Sequence, residues 1–152
     1  MPTKKDIVLF YILSFTWGIV FTVVGLFALL GALVFIGPKK LKIRYIAGRI
    51  AVTTTDRYFG GVSLGIVYFV DKSDRHHTHC HEIGHTIQNI YMGPLFIFLV
   101  AIPSFIRYHR WDKLKAKNPL LKYDDAWYEG QATNLGMKSF YELIAEKLKE
   151  SK

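Results

Sequence analysis

The feature that most constrains how this chain can fold is a run of thirty residues without a charge, residues 7–36. A helix of about 20 apolar residues spans a bilayer, whereas two full crossings need about 40. The run therefore predicts one long or tilted transmembrane helix, or a tight helical hairpin broken near Gly25 or Gly31 with both ends on one side. The apolar core of a signal peptide covers only about 7–15 residues. We therefore expect residues 1–38 to form a permanent membrane anchor.

Positive charge is concentrated directly after this run. The chain carries 20 Lys and Arg against 12 Asp and Glu, and five of the cations follow the run with no acid among them: Lys39, Lys40, Lys42, Arg44 and Arg49. Because cytoplasmic flanks are enriched in cations, we expect the part after Pro38 to face the cytoplasm. The same cations would contact anionic headgroups of the lipid bilayer. Their position beside the anchor favours lipid over nucleic acid, so no nucleic-acid partner is expected.

The remaining segments predict a mixture of strands and helices, and hence an α+β fold. Residues 49–55 and 62–70 are rich in β-branched side chains, which predicts two strands of a short sheet. A second apolar run, residues 93–106, contains two prolines and is short for a crossing, so it is expected in the core or dipping into the near leaflet. Residues 127–149 have helical apolar spacing, with Gly136 as a point where the helix could break.

The sequence His81-Glu82-Ile83-Gly84-His85 matches the H-E-x-x-H pattern. Two histidines four residues apart project from one face of a helix and suit two corners of a zinc tetrahedron. Glu82 would then lie at the edge of the metal, where a carboxylate can accept a proton from water. Cys80 points about 100° away from His81 on this helix, so we expect a buried thiol and not a ligand. Cys80 is the only cysteine, so the chain cannot form an internal disulfide, which fits a reducing compartment.

A catalytic zinc needs a third protein ligand. The metzincin extension is absent, because Gln88 and Tyr91 stand where Gly and His would be required. The best candidate is Glu129, since small residues follow it along one helix face and would let two helices approach closely. These small residues are Ala132, Thr133 and Gly136. The alternative ligands are Asp124, Asp125 and His109.

The motif together with Glu129 resembles the gluzincin branch of the zinc metallopeptidases, which includes thermolysin and several membrane-embedded proteases. A longer string resembles small bacterial membrane proteins that carry such a zincin motif. It comprises residues 81–88, Gly93-Pro94-Leu95, Pro103-Ser104 and Trp127-Tyr128-Glu129. The resemblance covers most of the chain after the anchor. It implies a minimal zincin-like domain at residues 39–152 of a bacterial inner-membrane protein, and the cations after Pro38 place this domain on the cytoplasmic side.

What the resemblance implies is a zinc-dependent endopeptidase that cleaves a membrane or membrane-proximal protein. His81, His85 and Glu129 would hold Zn²⁺, and Glu82 would act as the general base. The strand before the motif helix would pair with an extended peptide substrate. A donor to the developing oxyanion is also needed, and three side chains are candidates: Tyr123, Tyr128 and His109.

The chain departs from the gluzincin pattern at Thr133, where an Asp would support the first histidine. We expect Asn134 or a nearby Asp to take that supporting role. Because of this departure an alternative function stands beside the peptidase: a catalytically inactive zinc-binding membrane protein with a structural or regulatory role. A third interpretation is a basic membrane-surface protein in which the motif is accidental.

Overall fold

The computed structural model describes residues 2–150 and has an α+β fold, with five α-helices and a four-stranded mixed sheet. The helices are α1 (Lys4–Phe15), α2 (Ile19–Phe35), α3 (His76–Met92), α4 (Ile102–Lys117) and α5 (Trp127–Lys149). The strands are β1 (Leu41–Ile46), β2 (Arg49–Thr54), β3 (Gly61–Leu64) and β4 (Val67–Val70). The α+β class predicted from the sequence is therefore confirmed.

The strand order in the sheet is β1-β2-β4-β3, so β1 and β3 are its two edges. β2 pairs antiparallel with β1 and parallel with β4, and β3 pairs antiparallel with β4. The single strand predicted over residues 62–70 is wrong, because the chain reverses at Gly65, whose φ is +64°. This turn makes a hairpin of β3 and β4. β1 was not predicted, since its alternating cations indicated a headgroup-binding segment and not a strand.

The sheet is covered on both faces. Along β4, Val67 and Phe69 join a core cluster that includes Phe10 of α1 and Ala32 of α2. The alternate residue Tyr68 faces a second cluster, made with side chains of α3 and α5. Because successive strand residues point to opposite faces, one short apolar strand anchors both layers. The molecule thus has three layers, with α1 and α2 on one side of the sheet and α3 and α5 on the other.

The N-terminal apolar run forms two helices and not one, so the single-helix alternative is wrong. The break predicted near Gly25 or Gly31 is also wrong, because α2 is continuous through both glycines. α1 and α2 are bent by 92° at a short break between Phe15 and Ile19. Among residues 2–150, no single helix is both long and apolar enough to span a bilayer. Two pairs of helices meet that criterion when the two members are counted together. One pair is α1 with α2, and the other is His76–Leu95 with Ile97–Lys117, which is bent by 120°.

The packing of α1 and α2 crosses the predicted boundary between anchor and domain. Gly25 of α2 lies directly against the carbonyl of Leu64, and Phe10 of α1 lies 3.7 Å from the guanidinium of Arg49. The predicted limits, 1–38 and 39–152, include Met1, Ser151 and Lys152, which lie outside the described residues. Those limits remain a prediction.

The second apolar run does not form a buried core. Phe96 and Val100 are buried, but most of the large side chains between residues 95 and 106 are exposed, among them Phe98 at 67% and Phe105 at 65%. The expectation that this run lies in the protein core is therefore wrong for its exposed side chains. The expected break in the last helix is also absent, because α5 is continuous through Gly136.

Candidate metal centre

The site is built where α3 and α5 pack at very short distance. A Cβ on Gly84 of α3 would overlap the carbonyl oxygen of Ala132, and a Cβ on Gly136 of α5 would overlap that of Cys80. The backbones can approach this closely only because both positions are glycine. The stripe of small residues after Glu129 was predicted to allow this approach, and the structure confirms it. Cys80 is itself buried, as predicted, within the core under α3.

Three ligand-type atoms converge between the two helices. His81 Nε2 and His85 Nε2 are 3.1 Å apart, and Glu129 Oε2 is 3.2 Å from each of them. Glu129 is fully buried, and the histidine side chains are 12% and 8% exposed. The three side chains predicted as ligands are therefore brought together, and this cluster could hold a metal ion.

The hydrogen bonds of His85 determine what its inner nitrogen presents to the cluster. Its Nδ1 lies 2.7 Å from Gln88 Oε1. The Gln88 amide nitrogen is 2.8 Å from the Tyr128 carbonyl, which can only accept, so the amide orientation follows. Gln88 Oε1 is thus an acceptor, and His85 Nδ1 must donate to it. Neutral His85 therefore has its lone pair on Nε2, where it can bind a metal ion, and His85 can donate from Nε2 to Glu129 only as the protonated imidazolium.

The other histidine is supported by Thr133. His81 Nδ1 is 2.8 Å from the Thr133 hydroxyl, four residues after Glu129 on α5. Asn134, which was expected in this role, is exposed on the next position of the helix, so that prediction is wrong. The physical reason is helical geometry, because residues four apart share a face whereas residues five apart diverge.

The charges of the cluster favour an ionised carboxylate. Burial alone would raise the pKa of Glu129, but the hydrogen bonds from His81 and His85 hold it well below its usual range. Burial likewise would lower the pKa of His81, and the hydrogen bond to Glu129 raises it instead. Glu129 Oε1 is buried and makes no hydrogen bond of normal length among residues 2–150, although the hydroxyls of Ser104 and Tyr123 lie near this carboxylate. An ionised oxygen left in this state favours a bound cation.

Glu82 lies beside the cluster but is held by the edge strand β3. Its side chain is buried, and its Oε2 accepts a hydrogen bond from Ser63 Oγ at 2.9 Å. The same hydroxyl lies 2.6 Å from the backbone oxygen of Glu82. A Cβ on Gly61 would overlap the carboxylate, so a glycine in β3 makes room for it. Glu82 is close enough to His81 for its charge to raise the histidine pKa.

Of the three predicted oxyanion donors, Tyr123 lies nearest the cluster. Its ring centroid is 6.4 Å from that of His81, and burial followed by the charge of Glu129 raises its pKa. Arg107 of α4 donates to the Tyr123 carbonyl at 3.0 Å and fixes this segment. Tyr128 is half-buried and contributes its carbonyl to Gln88.

The remaining predicted residues lie apart from the three convergent atoms. His109 is exposed and packs on Phe105, with ring centroids 4.3 Å apart. Asp125 accepts a hydrogen bond from the backbone of Lys122 at 2.8 Å. Asp124 lies 3.9 Å from exposed His77. None of the three alternative ligands belongs to the cluster found among residues 2–150.

Comparison of the chain with known protein families, with curated proteins and with solved structures finds no match.

Proposed function

We propose that this chain is a membrane-anchored zinc endopeptidase that cleaves a membrane or membrane-proximal protein. The observation that carries the proposal is the convergence of His81, His85 and Glu129. Two ligands of a tetrahedral zinc, each about 2.0–2.1 Å from the metal, lie about 3.3 Å from each other. The separations here are 3.1 and 3.2 Å. Calcium, at about 2.3–2.6 Å from oxygen ligands, needs wider spacing and no imidazole.

The donor set supports a catalytic rather than a purely structural ion. Two imidazoles and one carboxylate leave the fourth tetrahedral position for water. Bound zinc would supply a Lewis acid that lowers the pKa of that water towards about 7. The hydrogen bonds that His85 donates to Gln88 and His81 donates to Thr133 would keep both imidazoles oriented for binding.

Proton transfer is assigned to Glu82. Its carboxylate would accept a proton from the attacking water and deliver it to the nitrogen of the leaving amine. Ser63 holds Oε2 of this carboxylate at 2.9 Å and restricts its rotamers. The Tyr123 hydroxyl is the proposed donor to the oxyanion, because burial keeps its pKa raised and its proton in place.

The edge strand β3 is the proposed docking site for the substrate backbone. In the described sheet β3 pairs with β4 on one side, and an extended peptide could add to its other side. Ser63 lies in this strand and contacts Glu82 directly. A peptide in this position would therefore pass close to the general base, with affinity from main-chain hydrogen bonds and little sequence preference.

The proposed location is a bacterial inner membrane, with the site on the cytoplasmic side. Many apolar side chains of α1 and α2 are exposed, such as Phe27 at 69% and Phe35 at 89%. A soluble monomer rarely exposes an apolar patch of this extent. The cations after α2, beginning at Lys39, would lie against anionic headgroups.

The test compares zinc content and hydrolysis in purified full-length protein. We expect about one zinc per chain, lost in His81→Ala and in Glu129→Ala because two ligands remain. Glu82→Gln should keep its zinc while hydrolysis of unfolded casein falls by about 10²–10⁴. Asn134→Ala is the matched control, since this exposed residue follows Thr133 on α5 and is not a member of the ligand cluster. Equal zinc content in wild type and His81→Ala would end the proposal.

A second candidate, the inactive zinc-binding membrane protein, is supported by the burial of Glu82. This side chain is only 3% exposed and is hydrogen-bonded to Ser63. A base held in this way could be unavailable to water. Stoichiometric zinc together with equal, background hydrolysis in wild type and Glu82→Gln would favour this structural or regulatory role.

A further inference from the structure

The two bends of the chain meet at one place. The indole of Trp17, in the break between α1 and α2, packs on Gly93, the residue that ends α3 shortly before the bend of the second pair. Phe21 of α2 and Phe96, which follows Gly93, have ring centroids 5.0 Å apart at right angles. The two bent helix pairs are therefore in contact through the segments where each pair turns.

Exposed apolar side chains surround this meeting point on both pairs. From the first pair come Phe15 and Val20, and from the second come Phe98, Ile102 and Phe105, with exposures between 45% and 67%. We call these five residues, with Trp17, the bend surface. Its two halves are linked beneath the surface by the contacts of Trp17 with Gly93 and of Phe21 with Phe96.

Charge lies at the opposite end of each helix that contributes to the bend surface. α1 begins with Lys4 and Lys5, α2 is followed by Lys39, and the last turns of α4 carry Lys113 and Lys117. All five side chains are exposed. Exposed apolar side chains continue along α2 as far as Phe35, and the basic side chains lie beyond the helix ends, which complements a bilayer with anionic headgroups.

The helices are too short to cross. α2 has 17 residues and α1 has 12, so their lengths are about 26 and 18 Å, against about 30 Å of hydrocarbon. The charged ends also return to the same sheet. Ile7 and Phe10 of α1 pack on Gly48, and α2 continues through Lys39 into β1. Both ends of the bent pair thus stay on one side.

We propose that the bend surface inserts into a single leaflet of an anionic bilayer, from the cytoplasmic side, without crossing it. The bend of each pair enters the leaflet, and the basic helix ends lie in the headgroup layer. The Phe96 ring that joins the two bends also lies 6.3 Å from the ring of His85. The metal site is therefore at the rim of the inserted surface.

This placement names the substrate class, and that one step rests on the proposed peptidase. The substrate is a polypeptide segment at the headgroup level, where a membrane protein leaves the bilayer on the cytoplasmic side. Insertion itself does not depend on zinc or on hydrolysis. The experiment below measures insertion alone, so its failure and the failure of the peptidase proposal are separate results.

The first arm measures lipid contact in full-length protein reconstituted into phosphatidylcholine and phosphatidylglycerol vesicles. Environment-sensitive dyes are attached to Val20→Cys and Phe98→Cys, and to Tyr141→Cys on α5 as control, in a Cys80→Ala background. Vesicle lipids carrying nitroxide on their acyl chains should quench the first two dyes and leave the third bright. The three labelled positions are exposed, whereas Cys80 is buried, so circular dichroism is used to check that each variant, including Cys80→Ala alone, keeps its fold. Quenching of Val20 without Phe98, or of neither, overturns joint insertion.

The second arm separates one-leaflet insertion from a crossing hairpin. Phe15→Cys, at the bend, is treated with a membrane-impermeant maleimide in spheroplasts and in inverted vesicles. A one-leaflet bend should react from neither side and should react fully after detergent is added. Labelling from the periplasmic side would show that the hairpin crosses, and labelling from the cytoplasmic side would show that the bend is not inserted. Either result overturns the proposal.

Discussion

Thr133→Val probes the support of the metal site most directly. The Thr133 hydroxyl is 2.8 Å from His81 Nδ1, and it replaces the carboxylate expected from the gluzincin resemblance. Valine keeps the shape and volume of threonine and removes only the hydroxyl. The substitution therefore leaves the packing of α3 on α5 unchanged while His81 Nδ1 loses its partner.

The expected loss is one to two orders of magnitude in zinc affinity. Groups that hydrogen-bond a metal-binding histidine typically contribute about 10–100-fold to affinity. This corresponds to about 1.4–2.7 kcal/mol, in agreement with the cost of about 1–3 kcal/mol for leaving a buried donor unpaired. Thr133→Asp should act in the opposite direction, because a charged acceptor strengthens the hydrogen bond from His81 and makes its Nε2 more basic.

The assay is a competition titration of the purified protein against a chromophoric zinc chelator at fixed pH. Wild type, Thr133→Val, Thr133→Asp and the control Asn134→Ala are compared. The zinc dissociation constant should be lowest for Thr133→Asp, equal for wild type and Asn134→Ala, and highest for Thr133→Val. A Thr133→Val protein that binds zinc as tightly as wild type would refute the supporting role of this hydroxyl.

Substitutions at three further positions test other contacts. Gly84→Ala should lower the free energy of unfolding by about 1–3 kcal/mol, measured by thermal unfolding, because the new Cβ would overlap the Ala132 carbonyl. Zinc affinity should fall as well, and an unchanged affinity would contradict this. Ser63→Ala should lower kcat more than it changes KM, and Ser63→Thr should restore kcat, if the hydroxyl positions Glu82. Burial alone would raise the pKa of Asp74, but hydrogen bonds from His79, Arg44 and Thr53 hold it below its usual range. The stability of the wild type should therefore fall as the pH drops below about 4, and Asp74→Asn should reduce this acid dependence.

The ligand cluster was predictable because its determinants are local. Histidines four apart share a helix face, and the small residues after Glu129 indicate a face that meets another helix. The support from Gln88 was also within reach, since it lies one turn after His85. The contact of Ser63 with Glu82 could not be predicted from the sequence, because it depends on where the edge strand β3 lies over α3.

The sheet and the N-terminal run were predicted less well, for a physical reason that they share. Apolar residues in both segments face two different partners, so hydrophobicity alone does not define the element. In β4, Phe69 and Tyr68 serve opposite faces of the sheet. In α2, Gly25 packs on the sheet while Phe27 is exposed. The turn at Gly65 divides the strand segment in two, and the bend between Phe15 and Ile19 divides the N-terminal run in two. Neither position carries a strong sequence signal.

The cover that α1 and α2 give the sheet leads to a last prediction, on residues 39–152 expressed alone. Without the first 38 residues, Val52, Ile66, Val67 and Phe69 lose the helices packed on them. Burying each such side chain is worth about 1.5–3 kcal/mol, so about 6–12 kcal/mol is lost. This equals most of the usual stability of a domain, about 5–15 kcal/mol. The truncated chain should therefore lack cooperative thermal unfolding and stoichiometric zinc. If it unfolds cooperatively with zinc bound, the anchor is a separate unit and the sheet does not need it.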